Sequence, residues 1–299
     1  MASLSTLKRA RDQLLLKPLD AVVFLAPWYT PIPDSFTDTS GVLQPLPSAY
    51  TSVGLIAKSD GIAFARNIQT GTMESYGELE PTRLDVTSDS TTLAFTPQEA
   101  NKLNLQLTSN ADLSAVMADP QSGEVFFAQP SSAQIRYYSA VVIGRDGSED
   151  DPIYIFKVMP KVAVSQTDGE TWNNDGGAHQ KLTLTAFKDS TAGYAVAHGF
   201  AGSGWKKRVH AAGFDFATTT ITVAPTTLDL SAASPTSAPL VVTDQDNNVI
   251  PADRVQFTSS ATAVATVSAT GVVSFVSAGS ATVTATHQGK TAQCTVTCT

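Results

Sequence analysis

The chain has 299 residues, of which 42% are hydrophobic and 15% are charged, and its formal net charge is −8 at pH 7. This length allows two domains that each bury a core. Basic residues are few and form no stripe, which argues against a protein that binds the phosphate backbone of nucleic acid.

Leucines near the amino terminus follow mixed three- and four-residue spacings. This pattern predicts a short amphipathic helix or an ordered arm over residues 3–16, with a frayed terminus as the alternative. Residues 1–9 lack the apolar core of a signal peptide, so we expect a protein made in the cytoplasm. The next apolar run, residues 21–27, is too short to cross a bilayer.

Residues 26–54 are rich in proline, serine, threonine and aromatic side chains, and we interpret them as a long extended loop. Loops of this length inside a compact domain usually have a function or become ordered on assembly. We therefore expect this segment to take part in contacts beyond its own domain.

From residue 55 onward the pattern is mainly that of β-strands. Alternation is clearest over 181–185, where Leu182 and Leu184 share one face. Residues 135–143 and 153–158 are instead apolar on both faces, which predicts strands covered by the core on one side and by a second layer on the other. The predicted strands are 61–67, 70–77, 82–95, 123–129, 134–145, 152–168, 179–188 and 193–199.

One helix interrupts these strands. Thr96 and Glu99 match a capping box, and Pro97 occupies the first helical position between them, which predicts a helix over about 97–108. The alternation of leucines at 103, 105 and 107 also fits a strand, but the start signal favours the helix. A second short helix is predicted over 111–118.

Glycines recur over 199–213, which predicts a flexible tip or tail, and residues 217–220 are the predicted linker between two domains. The predicted domains are therefore 1–218 and 219–299.

Motifs for chemistry are weak throughout the sequence. Gly289-Lys290-Thr291 lacks the first glycine of a phosphate-binding loop, since position 284 is threonine, and predicts a hairpin turn. Gly202-Ser203-Gly204 has the wrong spacing for a nucleophile elbow. Four histidines stand singly, without the spacing of metal ligands on a helix: His179, His198, His210 and His287.

Three polar clusters receive non-catalytic interpretations. The acidic segments 146–151 and 168–177 are interpreted as solvated hairpin turns, with calcium binding as the alternative. Trp172 is interpreted as a packing anchor or interface residue rather than a platform for a sugar. The basic run 206–208 is interpreted as a solvated tail end or a contact with an acidic neighbouring subunit, with nucleic-acid contact as the alternative. We predict no enzyme and assign no catalytic, cofactor-binding or metal-binding residue, and no cofactor.

The last 81 residues differ from the rest. They hold only six charged side chains and show strand alternation over 281–286 and 294–298, broken by turn residues, which predicts a sandwich of antiparallel strands. Cys294 and Cys298 lie in one predicted strand with their Cα atoms roughly 13 Å apart, beyond disulfide reach. We expect them to be reduced thiols in the core.

Three strings in this region carry a resemblance: Ala263-Val264-Ala265-Thr266-Val267, Gly271-Val272-Val273 and the run from Ala278 to Ala285. Together with the first strands around 221–223 and 228–230, they resemble the bacterial immunoglobulin-like domain of group 2. The resemblance implies an added domain of the kind found on surface proteins and on phage structural proteins.

The larger region resembles the major tail subunits of long non-contractile-tailed bacteriophages over about residues 1–215. The resemblance rests on the pattern and order of segments 55–66, 91–104, 170–178 and 182–189. It implies a mainly β fold, a β-sandwich or half-barrel tail-tube domain with one flanking α-helix, followed by the C-terminal immunoglobulin-like β-sandwich. In such a fold a neighbouring subunit would supply the second cover of the doubly apolar strands.

The same resemblance implies a function and partners. Six copies would close a ring and rings would stack head to tail into a hollow tube in the virion, which conducts genomic DNA without binding it specifically. The N-terminal arm and the loop 26–54 would clamp the adjacent ring, and residues 219–299 would face outward. Further partners would be the tape measure, tail terminator and tail tip or baseplate proteins, and the host surface through the C-terminal domain, with no membrane.

The alternatives come from different classes. A bacterial cell-surface adhesin or binding protein with a terminal immunoglobulin-like module is the main one, and it should carry an export signal. A phage capsid or decoration protein and an enzyme with an accessory domain are the others.

Overall fold

The computed structural model describes residues 8, 10–132, 134–170, 172 and 180–299. The fold is mainly β, as the sequence predicts, and it divides into two compact units, Met1–Arg208 and Val209–Thr299. The boundary between the units lies ten residues before the predicted one at 218/219.

The first unit is built on one open, antiparallel sheet with the strand order β2-β1-β5-β6-β7-β4-β3, in which β8 also pairs with β6. A 3-10 turn, Asp12–Leu14, precedes it. The strands are β1 Asp20–Pro27, β2 Thr51–Ser52, β3 Ala63–Met73, β4 Arg83–Phe95, β5 Tyr137–Asp146, β6 Ile153–Thr167, β7 Leu182–Ala186 and β8 Ala197–Ala201. The helices are α1 Lys102–Ser109 and α2 Ser203–Lys206.

Several predicted elements need correction. The predicted strands 61–67 and 70–77 are one continuous strand, β3, and the segment 123–129 forms no strand. β1 was not among the predicted strands, although its apolar run pairs with β5 over eight residues. The predicted helix over 111–118 is a single turn, in which Val116 N–H donates to the Leu113 carbonyl. Most of the predicted arm, residues 1–7 and 9, lies outside the described residues.

The centre of the sheet is buried on both faces, as predicted for β5 and β6. One face packs a core around Val23, Leu93 and Met159, and the other packs a second core around Val141 and Phe156. This second core is covered by the chain itself, through side chains of the segment between β1 and β2. Those side chains are Ile32, Phe36, Leu43, Leu46 and Tyr50.

The expectation that another copy supplies this second cover is therefore wrong for β5 and β6. Phe36 stacks on Phe156 with ring centroids 4.8 Å apart, and the Tyr50 and Ser139 hydroxyls form a buried hydrogen bond of 2.9 Å. Much of the predicted loop 26–54 thus serves the core of its own domain. Tyr50 is buried and the other four side chains are partly buried, because they pack on the sheet face opposite the main core.

The predicted helix exists but begins later than the sequence indicates. Asn101 caps α1, because its side chain accepts a hydrogen bond of 2.9 Å from Asn104 N–H. The residues of the apparent capping box make tertiary contacts instead: Thr96 donates its hydroxyl to Asp60, and Glu99 accepts from Leu55 N–H. A bridge between Ile56 and Pro97 holds this segment extended, so no helical turn can form there.

The glycine-rich segment 199–213 is folded where the sequence predicts a flexible tail. It contributes β8 and α2, and Gly204 is buried against the 151–153 backbone, where its N–H donates to the Pro152 carbonyl. An added Cβ at Gly204 would lie 2.6 Å from the Asp151 carbonyl oxygen, so this glycine reflects close packing rather than flexibility.

The second unit has three small sheets around one core, with the strand orders β10-β17-β16-β13, β11-β15-β14 and β12-β9. Its strands are β9 Ile221–Ala224, β10 Thr227–Leu230, β11 Ser237–Pro239, β12 Val241–Asp244, β13 Gln256–Ser259, β14 Ala265–Val267, β15 Val272–Phe275, β16 Gly279–His287 and β17 Lys290–Cys298. The predicted alternation over 281–286 is confirmed, and Cys294 and Cys298 are buried free thiols, as expected.

Candidate assembly surface

One part of the first sheet is exposed on both faces. β3 and β4 pair along their whole length, yet from Arg66 outward on β3 and up to Asp89 on β4 nearly every side chain is exposed. β3 also stands at the end of the sheet, and its outer edge pairs with no other strand in the described part of the chain. We call residues 66–90 the projecting hairpin.

An apolar stripe follows one face of this hairpin. Ile68, Leu84 and Val86 are 46%, 64% and 64% exposed. Cross-strand partners share a face, and the pairs Phe64 with Leu93, Thr70 with Val86, and Thr72 with Leu84 place the stripe on the face that carries the main core.

A β-bulge makes this stripe continuous. The register shifts between Gln69 and Thr70, so that Thr87 is an extra residue on β4. Because side chains alternate along a strand, Leu84 and Val86 would otherwise point away from the face that holds Leu93. The bulge reverses the parity and returns both side chains to the face of the main core.

The tip of the hairpin, residues 74–82, is an ordered turn with an unusual surface. Thr82 N–H donates to the Met73 carbonyl, and the Ser75 and Thr82 hydroxyls are 2.9 Å apart. Tyr76 and Leu79 are fully exposed, at 110% and 104%. Three carboxylates flank them, and none takes part in an ion pair among the described residues: Glu74, Glu78 and Glu80.

Two ion pairs lie on the hairpin, one on each face. Arg66 binds Asp89 through two hydrogen bonds of 2.9 and 2.5 Å, and this contact lowers the pKa of Asp89 below its usual value. Arg83 and Asp85 pair at 2.8 Å. All four side chains are well exposed, so salt screens these pairs and they hold the hairpin only weakly.

A groove of about 690 Å³ lies at the base of the same sheet face. The start of β1, segment 54–62 and strands β5 and β6 bound it, and Val142 of the main core lines it. Leu19 and Leu55 stand 66% and 68% exposed at its mouth. Its volume is in the range of sites that take up a ligand or a partner's side chains.

The charges of the groove are mainly positive. Lys58 is exposed, while the ammonium of Lys157 lies 4.2 Å from the centre of the Phe64 ring. Burial lowers the pKa of Lys157 below its usual value. Asp20 is the carboxylate that lines the groove.

A third exposed region follows α1. Residues 110–136, apart from Ala133, which lies outside the described residues, form neither helix nor strand. The segment is anchored by Asp112, whose pKa falls to about 2 because the Ser114 hydroxyl and N–H and then Arg136 donate to its carboxylate. Its exposed apolar side chains are Met117, Val125, Phe126 and Ile135.

The polar groups that the sequence singles out are mostly engaged within the chain. Lys207 pairs with Asp151 at 2.8 Å, and Arg208 donates to the Gln13 and Gly204 carbonyls. Lys207 and Arg208 are therefore engaged within the chain, while Lys206 is exposed, so a contact of this run with a neighbouring subunit stays a prediction. Trp172 is 80% exposed and donates to Glu170, while residues 173–177 of the second acidic segment lie outside the described residues.

The three histidines that the structure describes lie on separate segments of the chain. His198 lies on β8, His287 Nδ1 is 2.8 Å from the Arg254 carbonyl oxygen, and His179 lies outside the described residues. Over the described ranges, no three His, Cys, Asp or Glu side chains are placed to hold a metal ion. Gln288 and Gly289 form the turn between β16 and β17. A hairpin turn is therefore present where Gly289-Lys290-Thr291 predicts one, but Lys290 and Thr291 are the first residues of β17.

Comparison with known families decides the nature of the second unit. The family profile of the bacterial Ig-like domain (group 2) matches residues 217–297. The C-terminal unit contains a bacterial immunoglobulin-like domain. This match covers about a quarter of the chain, and no curated protein matches the chain. None of the helices in the described ranges is long and apolar enough to span a membrane.

Sequence reasoning found the larger strands but missed the hairpin tip and the groove. A signal for the tip is present: Tyr76 and Leu79 stand among three glutamates and a glycine, a composition that does not favour a buried strand. The groove is formed by segments distant in the chain, so no local pattern predicts it.

Proposed function

We propose that this chain is a self-assembling structural subunit of the tail tube of a long-tailed bacteriophage, with the immunoglobulin-like domain facing outward. In this proposal six copies form a ring, rings stack head to tail, and the hollow tube in the virion conducts DNA to the host. The observation that carries the proposal is the projecting hairpin, exposed on both faces and at its outer edge.

A two-stranded hairpin is marginally stable in water when nothing covers it. The projecting hairpin extends well beyond the core, and its apolar stripe of Ile68, Leu84 and Val86 has no cover among the described residues of its own chain. An exposed apolar stripe of this kind marks an interaction surface. A neighbouring copy that covers the stripe would both stabilise the hairpin and join the subunits.

The free edge of β3 supports the same function. Its unpaired N–H and C=O groups can template a strand of another chain, which is a hazard in a monomer and an asset in an assembly. Identical contacts that run head to tail close into a ring when the rotation between copies allows it, and they can also propagate as stacks.

Charge is consistent with a conduit. With a net charge of −8, the subunit does not attract the phosphate backbone, so DNA would pass without being retained. We propose that the lumen is net acidic. The partners at the ends and inside of the tube would be the tail terminator, tail tip or baseplate and tape measure proteins.

The outward domain can serve binding. Six immunoglobulin-like domains in each ring would multiply a weak affinity for the host surface. The match to the immunoglobulin-like group is equally compatible with a cell-surface adhesin, so the oligomeric state has to separate the two functions.

Electron microscopy and light scattering of the purified full-length chain test the proposal. We expect rings or tubes with lateral projections to appear as the protein concentration rises. An adhesin would stay monomeric and bind cells in that state. A folded protein that remains a monomer at every concentration would contradict the tube function.

A further inference from the structure

The hairpin tip and the groove have complementary surfaces. The tip offers two fully exposed apolar side chains, Tyr76 and Leu79, within a ring of three glutamates. The groove offers an apolar interior of about 690 Å³ with Lys58 and Lys157 at its walls. Apolar surface would meet apolar surface while carboxylates meet ammonium groups.

The tip of a given copy does not reach the groove of that copy. Phe64 lines the groove, and β3 runs from there as a continuous strand to Met73, where the tip begins. Nine residues of extended chain span about 30 Å. A hairpin tip that enters this groove must therefore belong to a second copy of the chain.

We propose that the hairpin tip of one copy docks in the groove of a neighbouring copy, with Leu79 and Tyr76 inside the groove and the tip glutamates beside Lys58 and Lys157. The proposal rests on the self-assembly described above and names its contact. The contact is heterologous, because two different surfaces of the chain meet, so it repeats from copy to copy.

Within the described residues of the single chain, the charged groups of both surfaces form no ion pairs. Lys58 and Lys157 form no ion pair among the described residues, and burial disfavours the charged form of Lys157. A carboxylate from the tip would favour that charged form. Asp20 opposes this attraction, but three glutamates face two lysines and one aspartate, so the balance remains attractive.

Disulfide trapping between two singly substituted proteins tests the contact directly. Both natural cysteines are buried, so an introduced surface thiol is the reactive one. We expect a mixture of the L79C and L55C variants to form an inter-chain disulfide on mild oxidation. A mixture of L55C with M117C, whose substituted residue is 82% exposed and outside the tip, is the matched control.

Charge exchange supplies a second measurement. The K58E variant and the E78K/E80K variant should each raise the concentration needed for assembly by about tenfold or more. Mixing the two should restore assembly toward that of the unmodified protein. K188E, an exposed lysine away from the groove, is the control and should leave assembly unchanged.

The outcomes separate this contact from the general function. If rings or tubes form but L79C reacts with L55C no faster than M117C does, the docking of the tip is wrong and the tube function stands. If the protein is monomeric under all conditions, both fail. Preferential trapping together with rescue by charge exchange supports the docking.

Discussion

β3 and β5 belong to the same sheet, but β5 is buried on both faces and β3 is exposed on both faces along most of its length. Seven consecutive residues of β5 are buried, since one face packs on the main core and the other lies under the segment between β1 and β2. β3 is exposed along most of its length on both faces. The sheet therefore combines a centre that its own chain covers with an edge that pairs with no strand among the described residues.

This difference separates the residues that stabilise the single chain from those to which the proposed function assigns association. Stability of the single chain comes from the doubly covered centre, where each fully buried apolar side chain contributes about 1.5–3 kcal/mol. In the proposed function, association depends on the projecting hairpin, whose apolar stripe would gain that contribution when a second copy covers it. Substitutions in the two regions should therefore affect different measurements.

The largest loss of stability is expected for Phe156→Ala. Phe156 is 4% exposed and stacks on Phe36, so the truncation leaves a cavity between the sheet and its covering segment. We expect the free energy of unfolding to fall by about 3–5 kcal/mol, as measured by urea denaturation. Phe126→Ala, at a residue that is 84% exposed, should change it by less than about 0.5 kcal/mol. Equal effects at the two positions would mean that the covering segment does not pack on the sheet in solution.

The converse result is expected for the double variant L84D/V86D. Both side chains are exposed in the single chain, so the free energy of unfolding should change little. Covering them in an assembly contributes about 1.5–3 kcal/mol each, so the concentration needed for assembly should rise by about 100-fold or more.

Light scattering against concentration measures that shift. V241D/V249D in the second unit is the matched control, because its two valines are 45% and 58% exposed and lie outside the hairpin. Normal assembly of L84D/V86D would remove the hairpin from the interface.

A smaller effect, dependent on pH, is expected at Tyr50. Burial raises the pKa of Tyr50 above its ordinary value of 10.0, while its hydrogen bond to Ser139 acts in the opposite direction. The raised pKa means that the stability it contributes is complete below pH 10. That contribution is lost as the pH rises through the higher pKa of the folded state, because the unfolded phenol ionises first.

Tyr50→Phe should cost about 1 kcal/mol at pH 7, where it leaves the Ser139 hydroxyl without its partner. Between pH 10 and 11 the variant should lose less stability than the unmodified protein does. Urea denaturation at a series of pH values measures both effects. Parallel pH profiles would show that Tyr50 ionises equally in the folded and unfolded states.

The sequence predicts the strands and the two domains of this fold better than it predicts the hairpin tip and the groove. β4 to β7 follow from alternation and from doubly apolar runs, and the immunoglobulin-like domain follows from its strings of small and β-branched residues. The start of α1 is mispredicted because Thr96 and Glu99 serve contacts with Asp60 and Leu55, which a local pattern does not contain.

The exposure of the projecting hairpin is not predicted from the sequence, and the reason is physical. Leu84 and Val86 look like core residues in the sequence, and only the extension of the hairpin beyond the sheet leaves them exposed. The bulge at Thr87 that aligns them with Leu93 depends on the pairing of two strands. The sequence predicts that β5 is covered on both faces. It does not show whether a segment of the same chain or a neighbouring copy provides the second cover.

Removing the second unit is expected to have the smallest effect on assembly. The residue at which the truncated chain ends matters, because part of the second unit could otherwise remain without its packing partners. Arg254 donates to the His210 and Phe214 carbonyls and binds Asp215, so residues 209–216 are fastened to the immunoglobulin-like core. A chain that ends at Phe216 would keep this segment without its partner Arg254. A chain that ends at Arg208 removes the whole second unit. The concentration that it needs for assembly should stay within about twofold of the full-length value, because the hairpin and the groove both belong to the first unit. Aggregation confined to the longer truncation would reflect the orphaned segment, whereas loss of rings in the chain ending at Arg208 would place part of the assembly surface in the immunoglobulin-like unit.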